Sequence, residues 1–159
     1  MEFRLGQGYD LHRISAGRRL FLGGREIPTP GWGLLGHSDA DVLLHAIIDS
    51  LLGALALGDI GQWFPDTDQR WLNADSKELL QTVLTDTRVK SWQLQNLDST
   101  IIAQAPKLSP HILSIRQSLA ELFACELERI SVKAKSNEQL DAVGRQEAIA
   151  AQAVVLLAR

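Results

Sequence analysis

Asp10 and His12 stand two residues apart, and Asp41 and His45 stand four apart. A spacing of two on a strand, or of four on a helix, puts both side chains on one face. Each pair therefore presents an imidazole and a carboxylate together, donors that suit a divalent ion. His37 precedes the same expected helix, at the positive end of its dipole, where an anion is welcome. Two imidazoles and one carboxylate make a zinc-type site with a fourth position open to a ligand. Spacing leaves open whether His37 or His45 is the second imidazole. Asp39 and Asp41 equally suit the ordinary role of acids at a helix N-terminus.

Three further groups carry polar chemistry. Asp59, Ile60 and Gly61, followed by Phe64, Pro65, Asp66, Thr67 and Asp68, combine turn residues with carboxylates that can accept from the hydroxyls of a polyol. Lys133, Lys135, Ser136, Asn137, Glu138 and Arg145 mix hydroxyl, carboxylate and cations near a strand end. That mixture suits phosphate oxygens together with a hard divalent cation, and it also suits a solvated loop. In Ala103, Gln104, Ala105, Pro106, Lys107 and Leu108 a strand end runs into a proline loop. Such a loop can read a base edge through main-chain groups, or simply turn the chain.

The elements that must position these residues follow from hydrophobic spacing and breakers. Glu2 to His12 alternates as a strand, with Phe3, Leu5, Gln7 and Tyr9 on one side and a glycine-thinned polar set on the other. Arg19 to Pro28 reads as a hairpin turning on Gly23-Gly24, and Pro30 to Gly33 as a loop. A helix capped by Ser38 or Asp39 carries Val42, Leu43, Ile47, Leu51, Leu52 and Leu55 on helical spacing and stops at Gly58. Asp59 to Asn73 reads as an ordered loop, and Asp75-Ser76 as the cap of a second helix reaching about Lys90. Trp92 to Gln104 and Ile130 to Lys135 read as strands. Between them Ser109-Pro110 opens a helix ending near Cys125. At Glu147 to Leu157 the alanine content favours helix, although Ile149, Ala151, Ala153, Val155 and Leu157 also share one strand face.

Composition narrows the class. The 159 residues are 45% hydrophobic and 22% charged, ordinary for one globular domain that buries its own core. The net charge of −3 offers no basic excess for nucleic acid. No apolar stretch is long enough for a membrane span, and the first ten residues lack the apolar core of a signal peptide. A single cysteine, Cys125, excludes an intramolecular disulfide and a cysteine-rich zinc module. These features point to a single α/β domain without repeats or linkers, in a soluble, intracellular protein.

The strings GYDLHR (Gly8–Arg13), GLLGHSDADVLLHAIIDSLLGALALGDIG (Gly33–Gly61), FPDTD (Phe64–Asp68), AQAPKLSPHI (Ala103–Ile112) and VKAKSNEQL…VGRQEAIAAQAVVLL (Val132–Leu157) together resemble the 2-C-methyl-D-erythritol 2,4-cyclodiphosphate synthase family of the non-mevalonate isoprenoid pathway. The resemblance spans essentially the whole chain in family order. It implies an α+β domain: a mostly four-stranded mixed sheet packed by helices, plus a small hairpin. It also implies a homotrimer with sheets facing the central core, active sites between subunits, and a C-terminal strand rather than a helix. The implied reaction is attack of the 2-phosphate of a CDP-linked methylerythritol on its β-phosphate, giving a cyclic diphosphate and CMP.

By the same resemblance Asp10, His12 and His45 are the zinc ligands, and Glu138 binds a second divalent ion, magnesium or manganese. His37 and Ser136 fall at positions that stabilise the transition state, and Ser38 beside the erythritol phosphate. Asp59, Ile60, Gly61 and Phe64 to Asp68 surround the methylerythritol. Lys135, Asn137, Ala142 and Arg145 fall near the diphosphate, and the loop from Ala103 to Ser109 holds cytosine. The compartment implied is the cytoplasm, or the plastid stroma for a plant-type source, with no membrane or nucleic-acid partner. Lys135 and Ser136 stand where the family usually or often has threonine, Asp141 where it has glycine, and Ala142 where it has an aromatic or other apolar residue. This altered loop motivates the rival expectation, a non-catalytic trimer binding cytidine nucleotides or isoprenoid phosphates.

Overall fold

The computed structural model describes residues 1–159. In chain order the strands are β1 (Phe3–Ala16), β2 (Leu20–Leu22), β3 (Arg25–Ile27), β4 (Trp32–Leu34), β5 (Gln93–Ile102), β6 (Ile130–Lys135) and β7 (Ala148–Ala158). The helices are α1 (Val42–Ala54), α2 (Ile60–Trp63), α3 (Ser76–Thr85), α4 (Ile112–Phe123) and α5 (Asp141–Gly144). One mixed sheet has the order β4-β1-β7-β5-β6, in which only β5 and β6 run parallel. The expected four-stranded sheet is thus β1-β7-β5-β6, and β4 extends it by three residues within the segment expected as a loop. The β2–β3 hairpin turns on Gly23 and Gly24, whose φ values of 61° and 77° suit a tight turn between antiparallel strands.

The C-terminal segment is strand β7, which corrects the helix favoured by its alanine content. It pairs on both sides, with β1 and with β5. Ile149, Ala151, Ala153, Val155 and Leu157 turn inward and join the core that includes α1. Two ladders and a buried row outweigh the small helix preference of alanine. The inward side of β1 carries Gly6, Gly8, Asp10 and His12. The missing Cβ atoms at Gly6 and Gly8 let α1 lie directly on the strand backbone. Its other side leaves Phe3, Leu5, Tyr9 and Leu11 exposed.

Helix α1 begins later than expected. Its N-cap is Asp41, not Ser38 or Asp39, because the Asp41 carboxylate is buried where it meets the hairpin. It accepts from the main-chain N–H of Leu44 at 3.0 Å and from those of Gly23 and Gly24 at 2.9 and 2.7 Å. Asp41 is therefore structural and shares no ligand role with His45. Asp41→Ala leaves three donors unpaired, those of Gly23 and Leu44 buried. We expect it to lower unfolding stability by about 3 kcal/mol, read as a lower urea midpoint with an unchanged slope; a parent-like midpoint would contradict the role given to Asp41. Helix α1 then ends at Ala54, ahead of Gly58. Helix α3 ends at Thr85 rather than Lys90. The expected loop after Gly58 contains the short α2, capped by Asp59, and a 3-10 turn over Gln69–Trp71.

Candidate metal and substrate site

Strand β1 and helix α1 bring Asp10, His12 and His45 to one point. Asp10 Oδ2 lies 2.8 Å from His12 Nε2 and 3.1 Å from His45 Nδ1, and the two nitrogens are 3.0 Å apart. A tetrahedral zinc ion with bonds of about 2.0–2.1 Å spaces its donors roughly 3.3 Å apart, close to these separations. The far nitrogens of both rings are already engaged. His12 Nδ1 donates to the Leu35 carbonyl at 2.9 Å. His45 Nε2 meets Ser76 Oγ at 2.9 Å, and that hydroxyl donates to Asp39 Oδ1. Ser76 therefore accepts from His45, so each imidazole turns a lone pair inward, as metal-binding histidines do. Two lone pairs and a carboxylate facing one another require positive charge between them, and the donor set fits a zinc-type ion.

The electrostatics agree. Burial opposes ionisation of Asp10, yet the two imidazoles beside it hold its carboxyl well below the usual carboxylate range. Burial likewise opposes charging of His12, and the Asp10 carboxylate overrides it and raises the imidazole pKa. A proton on His12 thus occupies the place that a cation would take.

A cleft of about 300 Å³ opens from these three residues. Its wall includes His37, Ser38, Ile60, Gly61, Phe64 and Asp66, all expected at the site, and Trp71 and Leu79, which were not. His37 Nε2 donates to the Asp68 carbonyl at 3.2 Å, which orients the ring. The carboxylate of Asp68 is held by Arg70, and that of Asp59 caps α2. Pro65 and Thr67 sit in the same loop without lining the cleft. Asp49, one helical turn beyond His45, accepts from Ile60 N at 2.7 Å and so ties α2 to the helix that carries His45. A larger cavity of about 410 Å³, most of whose lining residues, Leu51, Trp92, Leu94 and Cys125 among them, are hydrophobic, holds no cluster of metal donors.

The remaining expected residues lie elsewhere in the chain. The loop from Ala103 to Ser109 leaves the end of β5, and Lys135 to Arg145 leaves the neighbouring end of β6. The two are joined by bonds from Ala103 N to the Lys135 carbonyl at 2.8 Å and from Gln139 N to Gln104 Oε1 at 3.2 Å. Ser136 Oγ donates to Glu138 Oε1 at 3.3 Å, and Asn137 donates to Asp141 at 2.8 Å. The ladder register runs Leu11, Ala150, Ile102, Lys135, so Lys135 is three strands from the strand that carries Asp10 and His12. That is on the order of 14 Å, and Lys135 shares the outward face with Leu11 while Asp10 and His12 face inward. One chain therefore carries two separate polar groups at the same end of its sheet, three strands apart.

The chain matches a model of the YgbB family over residues 3–158. A 2-C-methyl-D-erythritol 2,4-cyclodiphosphate synthase of Nostoc sp. (strain PCC 7120) is 54% identical over 157 residues, 99% of this chain and 94% of that protein. Among solved structures, a 2C-methyl-D-erythritol-2,4-cyclodiphosphate synthase in its CDP-bound form is 39% identical with a TM-score of 0.88, covering 98% of this chain and 100% of the other. The bifunctional IspDF of Campylobacter jejuni is 40% identical with a TM-score of 0.92; the match takes in 98% of this chain and only 42% of that longer one.

Proposed function

The chain belongs to the YgbB family, and from that membership and the Asp10–His12–His45 cluster we propose the reaction it performs. It converts 4-diphosphocytidyl-2-C-methyl-D-erythritol 2-phosphate to 2-C-methyl-D-erythritol 2,4-cyclodiphosphate and CMP. An oxygen of the 2-phosphate bonds to the β-phosphorus, and the bond from that phosphorus to the oxygen bridging it to the α-phosphate breaks. That oxygen leaves on CMP, so the reaction is a metal-dependent lyase step. The observation that carries the reading is the convergence of three donors, with the lone pairs of both imidazoles turned inward, in the wall of a cleft.

The nucleophile is already an anion, so the chain supplies no strong base. Its task is to bring anionic groups together and hold them in line. Asp10, His12 and His45 would hold zinc, and Glu138 magnesium or manganese; when bound, these ions neutralise the diphosphate and the charge that develops on it. His37 and Ser38 orient the 2-phosphate end of the substrate. Asp59, Asp66 and the main chain of Ile60 and Gly61 take the hydroxyls of the methylerythritol. The loop from Ala103 to Ser109 takes cytosine, and Ser136 with Lys135, Asn137 and Arg145 faces the diphosphate. Ala142, on α5, stands beside that group. Ser136 keeps the hydroxyl that a threonine would supply. Lys135 adds a cation to this group, and the Asp141 carboxylate is turned onto the N–H groups of Val143 and Gly144 at 2.8 and 3.2 Å.

The two separate polar groups support a homotrimer, in which the Lys135–Arg145 edge of one copy meets the Asp10 cleft of its neighbour. The exposed face of β1, with Phe3, Leu5, Tyr9 and Leu11 between 46% and 69% exposed, supplies apolar surface for such an assembly. No helix is long and apolar enough to cross a membrane, and the cytoplasm suits the substrate. Purified protein loaded with zinc and magnesium is expected to release one CMP per cyclic diphosphate, followed by phosphorus NMR. Its sedimentation should correspond to three chains. Tight cytidine diphosphate binding with no turnover after full metal loading would replace this reading with the non-catalytic binding trimer.

A further inference from the structure

Arg18 lies in the turn between β1 and β2, outside every group described so far. Its half-buried guanidinium spends its bonds on main-chain carbonyls. Nε donates to Leu34 at 3.0 Å and Nη2 donates to Ser38 at 2.7 Å. The adjacent Arg19 instead pairs with exposed Glu26.

The segment between those two carbonyls touches both imidazoles. The Leu35 carbonyl takes the Nδ1–H of His12 at 2.9 Å. Gly36 lies so close to that ring that a Cβ there would come within 3.1 Å of His12 Cε1. His37 lines the cleft, and Ser38 Oγ meets His45 Nε2 at 3.2 Å. On its other side the segment is held by main-chain bonds from Asn73 N to the His37 carbonyl at 2.7 Å and from Asp39 N to the Ala74 carbonyl at 3.0 Å, and by the His37 ring on the Asp68 carbonyl at 3.2 Å.

We propose that Arg18 is a positioning residue: its forked guanidinium clamps Leu34 to Ser38, and through that segment it sets the orientation of His12, His37 and His45. The inference rests on the zinc-dependent reading above. A planar fork can donate in two fixed directions at once, whereas an ammonium is a single point donor. Loss of the clamp leaves the Leu34 and Ser38 carbonyls without their partners. The segment then relaxes away from both rings, and outer partners of this kind govern metal affinity by roughly 10–100-fold.

The test uses the full chain as Arg18→Ala, Arg18→Lys and the control Arg19→Ala. Zinc affinity is measured without substrate, by competition against a chromophoric chelator, and CMP release is measured separately. For Arg18→Ala the zinc Kd is expected to rise about 10–100-fold, with kcat falling and KM moving less than about threefold, as for an interaction that matters most in the transition state. Free guanidinium at millimolar concentration should restore part of both, a response that a general loss of stability would not show. Arg18→Lys is expected to fall between parent and alanine variant, and Arg19→Ala to match the parent. A folded Arg18→Ala protein that holds zinc as tightly as the parent overturns the proposal. Should that variant fail to fold, parent-like zinc affinity in Arg18→Lys overturns it equally. A parent protein that binds no zinc removes the functional reading and this inference with it, while tight binding by parent and variants alike removes the inference alone.

Discussion

Asp10→Asn is expected to yield a folded chain that loses its zinc on gel filtration and releases CMP at about a thousandth of the parent rate or less. Asparagine keeps the size of the side chain and one oxygen, so packing against α1 is preserved. What it removes is the only formal negative charge among the three donors. His12 and His45 are both turned lone pair inward by their outer partners, Leu35 and Ser76. With Asp10 neutral they offer a doubly charged ion no charge compensation at all. Metal stabilisation of a transferring phosphoryl group is worth several kcal/mol. At about 1.4 kcal/mol per factor of ten, a loss of roughly 4 kcal/mol is a thousandfold in rate. Metal content per chain and the rate of CMP release report the two losses separately. A variant with parent-like zinc content would take Asp10 out of the ligand set. One that is metal-free yet fully active would take the ion out of the reaction.

Why the donor cluster was partly legible follows from the range of the interactions involved. Two-residue and four-residue spacings are local properties, so Asp10 with His12, and His45 on its helix, could be read from the chain. The choice between His37 and His45 was not local, because it depends on how closely α1 lies on β1. The cap of α1 shows the same limit. Ser38, Asp39 and Asp41 are all competent caps, and the hairpin amides of Gly23 and Gly24, supplied from earlier in the chain, select Asp41. Asp39 is thereby left free to hold Ser76, whose contact with His45 crosses 31 residues and has no signature in either local stretch. Strand β7 was misread on propensity for a related reason: alanine is a good helix former in isolation, and its small size is used here to let α1 approach the sheet. Resemblance supplied the strand where propensity did not. The groups around Gln104 and Ser136 were read as two separate groups, and the structure sets them side by side at the ends of β5 and β6. Their distance from the metal cluster could not be read, since it reflects the strand order β1-β7-β5-β6.

Gly8→Ala is the change expected to cost the fold most, and its effect should reach the metal. A Cβ on Gly8 would stand 1.9 Å from the Ala46 carbonyl oxygen and 2.8 Å from Ser50 N, both of them main-chain atoms of α1. No side-chain rotation relieves such a contact; the helix itself must back away by more than 1 Å, on the order of the gap between 1.9 Å and an ordinary contact of about 3.5 Å. Helix α1 is buried along nearly all of its length, so the displacement opens the core on one side and overpacks it on the other. The expected loss is about 3 kcal/mol or more. Gly8 lies two residues before Asp10, and Ala46 directly follows His45, so the same displacement pulls at the 3.1 Å contact between Asp10 and His45. Stability and zinc binding should therefore fall together. Gly53→Ala, on the same helix, provides the contrast. Its Cβ would meet only the Gln7 carbonyl, at 3.7 Å, and alanine in a helix gains roughly 0.5–1 kcal/mol over glycine. A urea titration with and without zinc should therefore move the two variants in opposite directions. Equal midpoints for Gly8→Ala and its parent would mean that the glycines of β1 do not set the distance between strand and helix, and so do not set the geometry of the metal cluster.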